Sequence, residues 1–264
     1  MVTVNPGDSP SVVFIAQLGT GGASWKPVIN LLTTNPTTVT YDRPGTGNAP
    51  PRPAPNPALP YSAFADELAA ILYEHGVTEP AVVVAHSVGS LIARVFADRH
   101  RGRVAGMVHV DGSIPRLSLW PVGPTWQSAD GDGSAATDFD LAAGEIEIVE
   151  AVAPSMPTAV VTRTPGRWSD GWLDRYPRAD PLWTAYQRQL ASFAQAPLVL
   201  AEDAGHQIPR EAPALVAYVI DAIVTAARTG QRWRPDQAAL AAVGGTLDPE
   251  VVAAPGQRRT QRLR

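Results

Sequence analysis

Cysteine is absent from the 264 residues, which excludes disulfides, thiolate nucleophiles and cysteine-ligated metals. Lysine is almost absent. Lys26 stands alone, and the other basic residues are arginine, so most lysine chemistry (a Schiff base, a phosphate-loop lysine) has no residue to perform it. No run reaches the ~18 consecutive apolar residues of a membrane span. The opening Met1-Val2-Thr3-Val4-Asn5-Pro6 has neither a basic segment nor a long apolar core. A secretory signal is therefore not expected, and a cytoplasmic protein is. The net charge of −4 lacks the cationic excess that nucleic acid or an anionic membrane would attract, so neither is expected as a partner.

Hydrophobic residues make up 45% of the chain, enough for one large core. The expected organisation is a domain over 1–229 and a flexible arginine-containing tail from 230 to 264. Nothing in the sequence speaks to oligomeric state.

The most informative stretch is Ala81-Val82-Val83-Val84-Ala85-His86-Ser87-Val88-Gly89-Ser90-Leu91-Ile92. An apolar, β-branched run comes first, then a small-x-Ser-x-Gly turn, then helical periodicity. That is the strand–turn–helix context in which a serine hydroxyl is lifted above the end of a sheet. Small residues are needed two positions either side of the serine, where the strand and helix backbones nearly touch. Ala85 and Gly89 fill those places, with Ala85 standing where glycine is usual.

Other buried, parallel-type strands are expected at Val12–Ala16, Thr37–Tyr41, Arg103–Val110, Thr158–Thr162 and Pro197–Ala201. Helices are expected at Ser62–His75, after Ser87, at Asp140–Ala151, at Asp180–Phe193 and at Glu211–Arg228. The proline-rich stretch from Asn48 to Pro60 reads as a stiff surface connection.

The elbow, together with Tyr41-Asp42-Arg43-Pro44-Gly45-Thr46-Gly47, Val110-Asp111 and Ala204-Gly205-His206, makes the chain similar to the α/β-hydrolase-fold superfamily and its small bacterial esterase-like serine hydrolases. The similarity runs from about Val12 to Arg228. It implies an α/β fold, with a mostly parallel sheet flanked by helices and an insertion at 112–156, where the family places its cap, as a small lid. It implies Ser87 as nucleophile and His206 as base, in the Ser…Asp…His order typical of the fold. The commonest acid position in the family falls here on Pro165. Asp111, at the preceding strand end, is therefore the expected acid, with Asp170 as the alternative. The resemblance also places two oxyanion donors, the backbone N–H groups of Leu18 and Val88. Gln17 replaces the usual residue of that first loop, where it either crowds the hole or adds a donor. It implies that Asp42 and Arg43 stabilise the fold. Trp120, Trp126 and Trp168 are candidate pocket walls.

The expected activity is hydrolysis of a small-molecule ester, lactone or thioester through an acyl-enzyme, with no metal and no cofactor. Two other readings remain. A catalytically silent small-molecule binding protein is suggested by Gln17 and by the displaced acid. A nicotinamide-dependent oxidoreductase is suggested by Gly19-x-Gly21 with Asp42 about twenty residues on. The dinucleotide fingerprint breaks at Ser24, where its third small residue belongs.

Overall fold

The computed structural model describes residues 1–53, 55, 57–115, 139–167 and 179–251. Eight strands form one sheet: β1 (Val2–Asn5), β2 (Asp8–Ile15), β3 (Pro36–Tyr41), β4 (Ala81–His86), β5 (Val104–Val110), β6 (Thr158–Arg163), β7 (Leu198–Ala201) and β8 (Gly245–Leu247). Their spatial order is β1-β3-β2-β4-β5-β6-β7-β8. The six inner strands run parallel, while β1 and β8 pair antiparallel at the two edges. The helices are α1 (Lys26–Ile29), α2 (Tyr61–Glu74), α3 (Val88–Arg99), α4 (Leu141–Glu150), α5 (Ala179–Ala194), α6 (Ile208–Glu211), α7 (Pro213–Thr229) and α8 (Gln237–Ala242).

The inner strands are apolar at nearly every position because both faces of the sheet are covered. Side chains alternate between faces with a period of two. Val12, Phe14, Val82, Val84, Val108 and Val110 pack with Leu215, Val219, Ile220 and Ile223 of α7. Val13, Ile15, Val83, Ala85 and Met107 pack on the other side with Phe64 and Leu68 of α2 and Leu91, Ile92 and Phe96 of α3. Helix α4 starts at an N-cap, Asp140, whose side chain accepts from the Ala143 N–H at 3.0 Å. It lies against α2 and α3, with Ile148 buried among them.

The parallel sheet flanked by helices is the fold class expected from sequence. The flexible tail beginning at residue 230 is corrected for residues 237–247. Asp236 caps α8 by accepting from the N–H groups of Ala238 and Ala239 at 2.8 and 3.1 Å. Leu240 is fully buried in the α7 layer. Strand β8 then pairs with the open edge of β7, from Val199↔Leu247 to Ala201↔Gly245. One buried leucine and three strand residues carry no periodicity of their own. An edge that would otherwise leave backbone groups unpaired recruits them. The rest of the expected tail, 252–264, and the central part of the expected lid, 116–138, lie outside the described residues. No helix among the described residues is long and apolar enough to cross a membrane.

Candidate active site

Strand β4 ends at His86 and helix α3 begins at Val88, so the chain reverses direction at one residue. Ser87 makes that turn with φ 54° and ψ −124°, a left-handed backbone that costs a non-glycine residue on the order of 1–3 kcal/mol. Neighbouring backbone holds it there. The Ser87 N–H donates to Val110 O at 3.1 Å, and the Ser87 carbonyl accepts from the N–H groups of Ser90 and Ser113 at 2.9 and 3.0 Å. Gly89 is required by contact. A Cβ on it would lie 2.7 Å from the Ile15 carbonyl oxygen and 3.0 Å from that of Ala16. Ala85 is fully buried between its register partners Ile15 and His109, so alanine is accommodated in the place where glycine is usual.

The next parallel strand, β5, delivers Asp111. Its N–H donates to Val161 O at 2.7 Å, continuing the β5–β6 ladder past the last strand residue, and its φ is 42°. The loop after β7 delivers His206. The structure brings these three side chains together at the carboxyl end of the sheet, where open α/β sheets bind ligands. His206 Nε2 lies 3.1 Å from Ser87 Oγ, and His206 Nδ1 lies 2.6 Å from Asp111 Oδ2. Ser87 is 2% exposed and Asp111 is fully buried, while the His206 side chain keeps 13% of its surface.

Electrostatics keep the buried carboxyl ionised. Burial alone would push the Asp111 carboxyl up. The hydrogen bond and charge of His206, the charge of Arg163 and the Thr162 hydroxyl outweigh it and hold the group at about 2. Oδ1 accepts from Thr162 Oγ1 at 2.6 Å and from the Trp183 indole Nε1 at 2.8 Å. The Arg163 guanidinium stands 4.0 Å from the same oxygen and pairs with Asp180 at 2.7 Å.

His86, inside the elbow motif, points to the α7 face of the sheet. Its Nε2 lies 2.8 Å from the carbonyl oxygen of His206, and the two rings are 4.9 Å apart. A carbonyl only accepts, so Nε2 carries the proton. Burial, and then the charge of His206, pull the His86 imidazole down to about 3.

The loop after β2 is anchored from below. Arg43 donates to the carbonyl oxygens of Ala16 and Gln17 at 2.7 and 2.5 Å. Asp42 closes the same region, accepting from the N–H groups of Gly22 and Asn48 at 2.8 and 3.0 Å. In a trans peptide the C=O and the following N–H point opposite ways. Binding the Gln17 carbonyl to Arg43 therefore turns the Leu18 N–H away from Arg43. The Val88 N–H is the first of α3 and has no acceptor within its own helix. The Gln17 side chain meets that of Gln207, beside His206, at 2.8 Å.

Of the remaining expected residues, Asp170, Trp120, Trp126 and Trp168 lie outside the described residues. Asp203 forms an ion pair with Arg167 and is 91% exposed. Three residues in the site carry no assigned role in the sequence reading. Ser113 Oγ is 3.1 Å from Ser87 Oγ, and its only sequence signal is its place two residues after Asp111. His86 is inside the motif itself. Trp183 lies on α5 and looks like any core aromatic.

A family model described as alpha/beta hydrolase fold matches residues 10–219. The "Putative carbamate hydrolase RutD" of Escherichia coli O9:H4 (strain HS) is 34% identical over 105 residues, 40% of this chain. The matched stretch covers 38% of that relative's length. Among solved structures, a "putative lipase" from Acinetobacter baumannii AYE superposes with a TM-score of 0.67 at 18% identity, covering 87% of this chain and 90% of its own. A thermophilic esterase from Thermogutta terrifontis gives a TM-score of 0.58 at 19% identity, over 86% and 93% of the two chains. The parallel sheet, the strained serine between β4 and α3, and a family match over most of the length lead to one assignment: the chain belongs to the alpha/beta hydrolase fold family.

Proposed function

We propose that this protein is a serine hydrolase that cleaves an ester-like carbonyl (a carboxylic ester, lactone or thioester) in a small molecule through an acyl-enzyme. The observation that carries the reading is the hydrogen-bond chain from Ser87 through His206 to Asp111, with links of 3.1 and 2.6 Å. A serine hydroxyl is a weak nucleophile near neutral pH and needs a base within hydrogen-bond reach. The base in turn needs a third group that fixes its tautomer and balances its charge. In this reading His206 Nε2 takes the Ser87 proton as Oγ bonds to the carbonyl carbon. The carbonyl π pair moves to oxygen, where the N–H groups of Leu18 and Val88 receive it. The tetrahedral species collapses, and the leaving oxygen or sulfur departs with the proton from His206. Water, deprotonated by the same imidazole, then attacks the acyl carbon, and Ser87 leaves with its proton restored.

Asp111 remains an anion throughout and holds the Nδ1–H tautomer. The anchoring of the Gln17 carbonyl by Arg43 supports Leu18 as a donor, and the helix start at Val88 supports the second. The chemistry needs no metal or cofactor. In this reading Gln17 lines the pocket. The similarity to a protein named as a carbamate hydrolase adds carbamates to the substrates worth testing, since their attack by serine follows the same steps.

The test is intact mass after exposure to a fluorophosphonate, beside a Ser87→Ala control, followed by turnover of aryl ester, lactone, thioester and carbamate panels. One adduct, lost in Ser87→Ala, is expected. A folded protein that forms no adduct and turns over no panel member would replace this reading with a silent binding protein.

A further inference from the structure

One side chain of α5 reaches the site without belonging to any motif. Trp183 is fully buried. Its indole N–H donates to Asp111 Oδ1 at 2.8 Å, and its ring meets the His206 ring edge-on at 90°, with centroids 5.4 Å apart. On another side the Arg163 guanidinium carbon lies 5.6 Å from the Trp183 ring centroid. A buried indole N–H needs an acceptor, and here that acceptor is the Asp111 carboxylate. An indole N–H donates and cannot accept, so toward Asp111 it has one use, to hold the carboxylate.

The effect on Asp111 follows from counting its partners. Oδ2 faces His206 Nδ1 at 2.6 Å, and Oδ1 takes Trp183 at 2.8 Å, the Thr162 hydroxyl at 2.6 Å and the Arg163 backbone N–H at 3.4 Å. Three donors on Oδ1, one from α5 and two from β6, prevent the carboxylate from rotating about its Cβ–Cγ bond. Oδ2 then stays aligned with Nδ1. The edge-on indole meanwhile stops the imidazole from tilting away from Ser87. One rigid side chain therefore sets the angle at both ends of the Asp111–His206 hydrogen bond.

We propose that Trp183 is a positioning residue for the hydrolytic reaction, fixing the Asp111 carboxylate through its indole N–H and the His206 ring through its edge. The proposal rests on Ser87, His206 and Asp111 being the reacting set. Trp183 touches no substrate atom and acts only through those residues.

The experiment measures kcat and KM for p-nitrophenyl acetate in wild type, Trp183→Phe, Asp111→Asn and the double variant, with Ser87→Ala as background. Phenylalanine keeps a buried ring and removes the N–H. A fall in kcat of about 10- to 100-fold with KM within about 2-fold is expected, because a misaligned reacting group costs rate rather than binding. In the Asp111→Asn background the same substitution is expected to add less than about 2-fold, since residues that share one interaction are not additive. An equal loss in both backgrounds assigns Trp183 to packing and overturns the proposal, as does a Trp183→Phe kcat within about 2-fold of wild type. Should Trp183→Phe fail to fold, benzothienylalanine at position 183 removes the N–H at nearly constant volume, and the same expectations apply. Wild type with neither a Ser87 adduct nor Ser87-dependent turnover of p-nitrophenyl acetate or any panel member would sink the hydrolase reading and this proposal with it. Wild type with such turnover and an unaffected position 183 would sink the proposal alone.

Discussion

The side-chain amides of Gln17 and Gln207 pair with each other across 190 residues of chain, Gln17 Nε2 to Gln207 Oε1 at 2.8 Å and Gln207 Nε2 to Gln17 Oε1 at 3.3 Å. The pair ties the loop after β2, which would supply one oxyanion donor, to the loop that carries His206. Removing either amide frees both loops. With a net worth of about 0.5–1.5 kcal/mol for each of the two hydrogen bonds, Gln207→Ala should lower kcat/KM by roughly 5- to 100-fold. Gln17→Ala should do the same, and the double variant should be no worse than either single one. Kinetics on any ester the wild type cleaves would decide it. Losses that multiply would mean that the two amides act separately.

Asp111 is the expected acid, and its environment makes the test sharp. Asparagine at 111 keeps the shape but removes the charge that holds the Nδ1–H tautomer. Asp111→Asn should cut kcat by about 10³- to 10⁴-fold. Asp203→Asn should change little, because Asp203 is exposed and bound to Arg167. Asp170→Asn should also change little. Full activity in Asp111→Asn with loss in Asp170→Asn would move the acid to position 170.

Most of the sheet was legible because it is covered on both faces. Val12 to Ile15 and Ala81 to Ala85 are apolar without interruption, and only a doubly buried parallel strand needs that. The elbow was legible because its constraints are local: a strand, a strained serine and a glycine pressed against Ile15 all fall within one short stretch. His206 and Asp111 are 95 residues apart, and only chain order and family resemblance joined them. Edge elements were not legible. Strand β1 is four residues long, with Val2 and Val4 half-buried and Thr3 and Asn5 exposed, and β8 is shorter still. Trp183 was illegible for a different reason. Its helix face reads as core, and the direction of one indole nitrogen leaves no trace in spacing.

The ordered C-terminal segment gives a stability prediction. Leu240 is fully buried against the α7 layer. Leu240→Ala should therefore cost about 2–5 kcal/mol, the range for emptying a buried leucine site. A flexible segment would show almost no change. Urea unfolding midpoints of the two proteins separate these outcomes.

Acid should weaken the fold through two histidines that are buried neutral. Burial, then the charge of His206, bring the His86 imidazole down to about 3, and burial, then the charge of Arg94, bring His109 down to about 3. His109 Nδ1 lies 2.6 Å from Ser90 Oγ, so each ring sits in a hydrogen bond formed without a net charge. In the unfolded chain these rings take up protons near their ordinary value of about 6.5. The unfolded state therefore binds more protons than the native one between about 6.5 and 3, and stability rises with pH across that window. The contribution is complete above about 6.5 and is lost progressively as pH falls toward 3. Asp111, held at about 2, acts in the same direction at the acid end, below its ordinary carboxylate value. Each histidine adds a slope of up to about 1.4 kcal/mol per pH unit. His86→Gln keeps a side-chain N–H that can reach the His206 carbonyl and removes one titrating group. Its unfolding free energy, measured in urea at several values from pH 7 to pH 4, should fall less steeply than that of wild type by up to that amount. Parallel curves would mean that His86 takes up its proton without cost in the folded protein and is not held neutral by its burial.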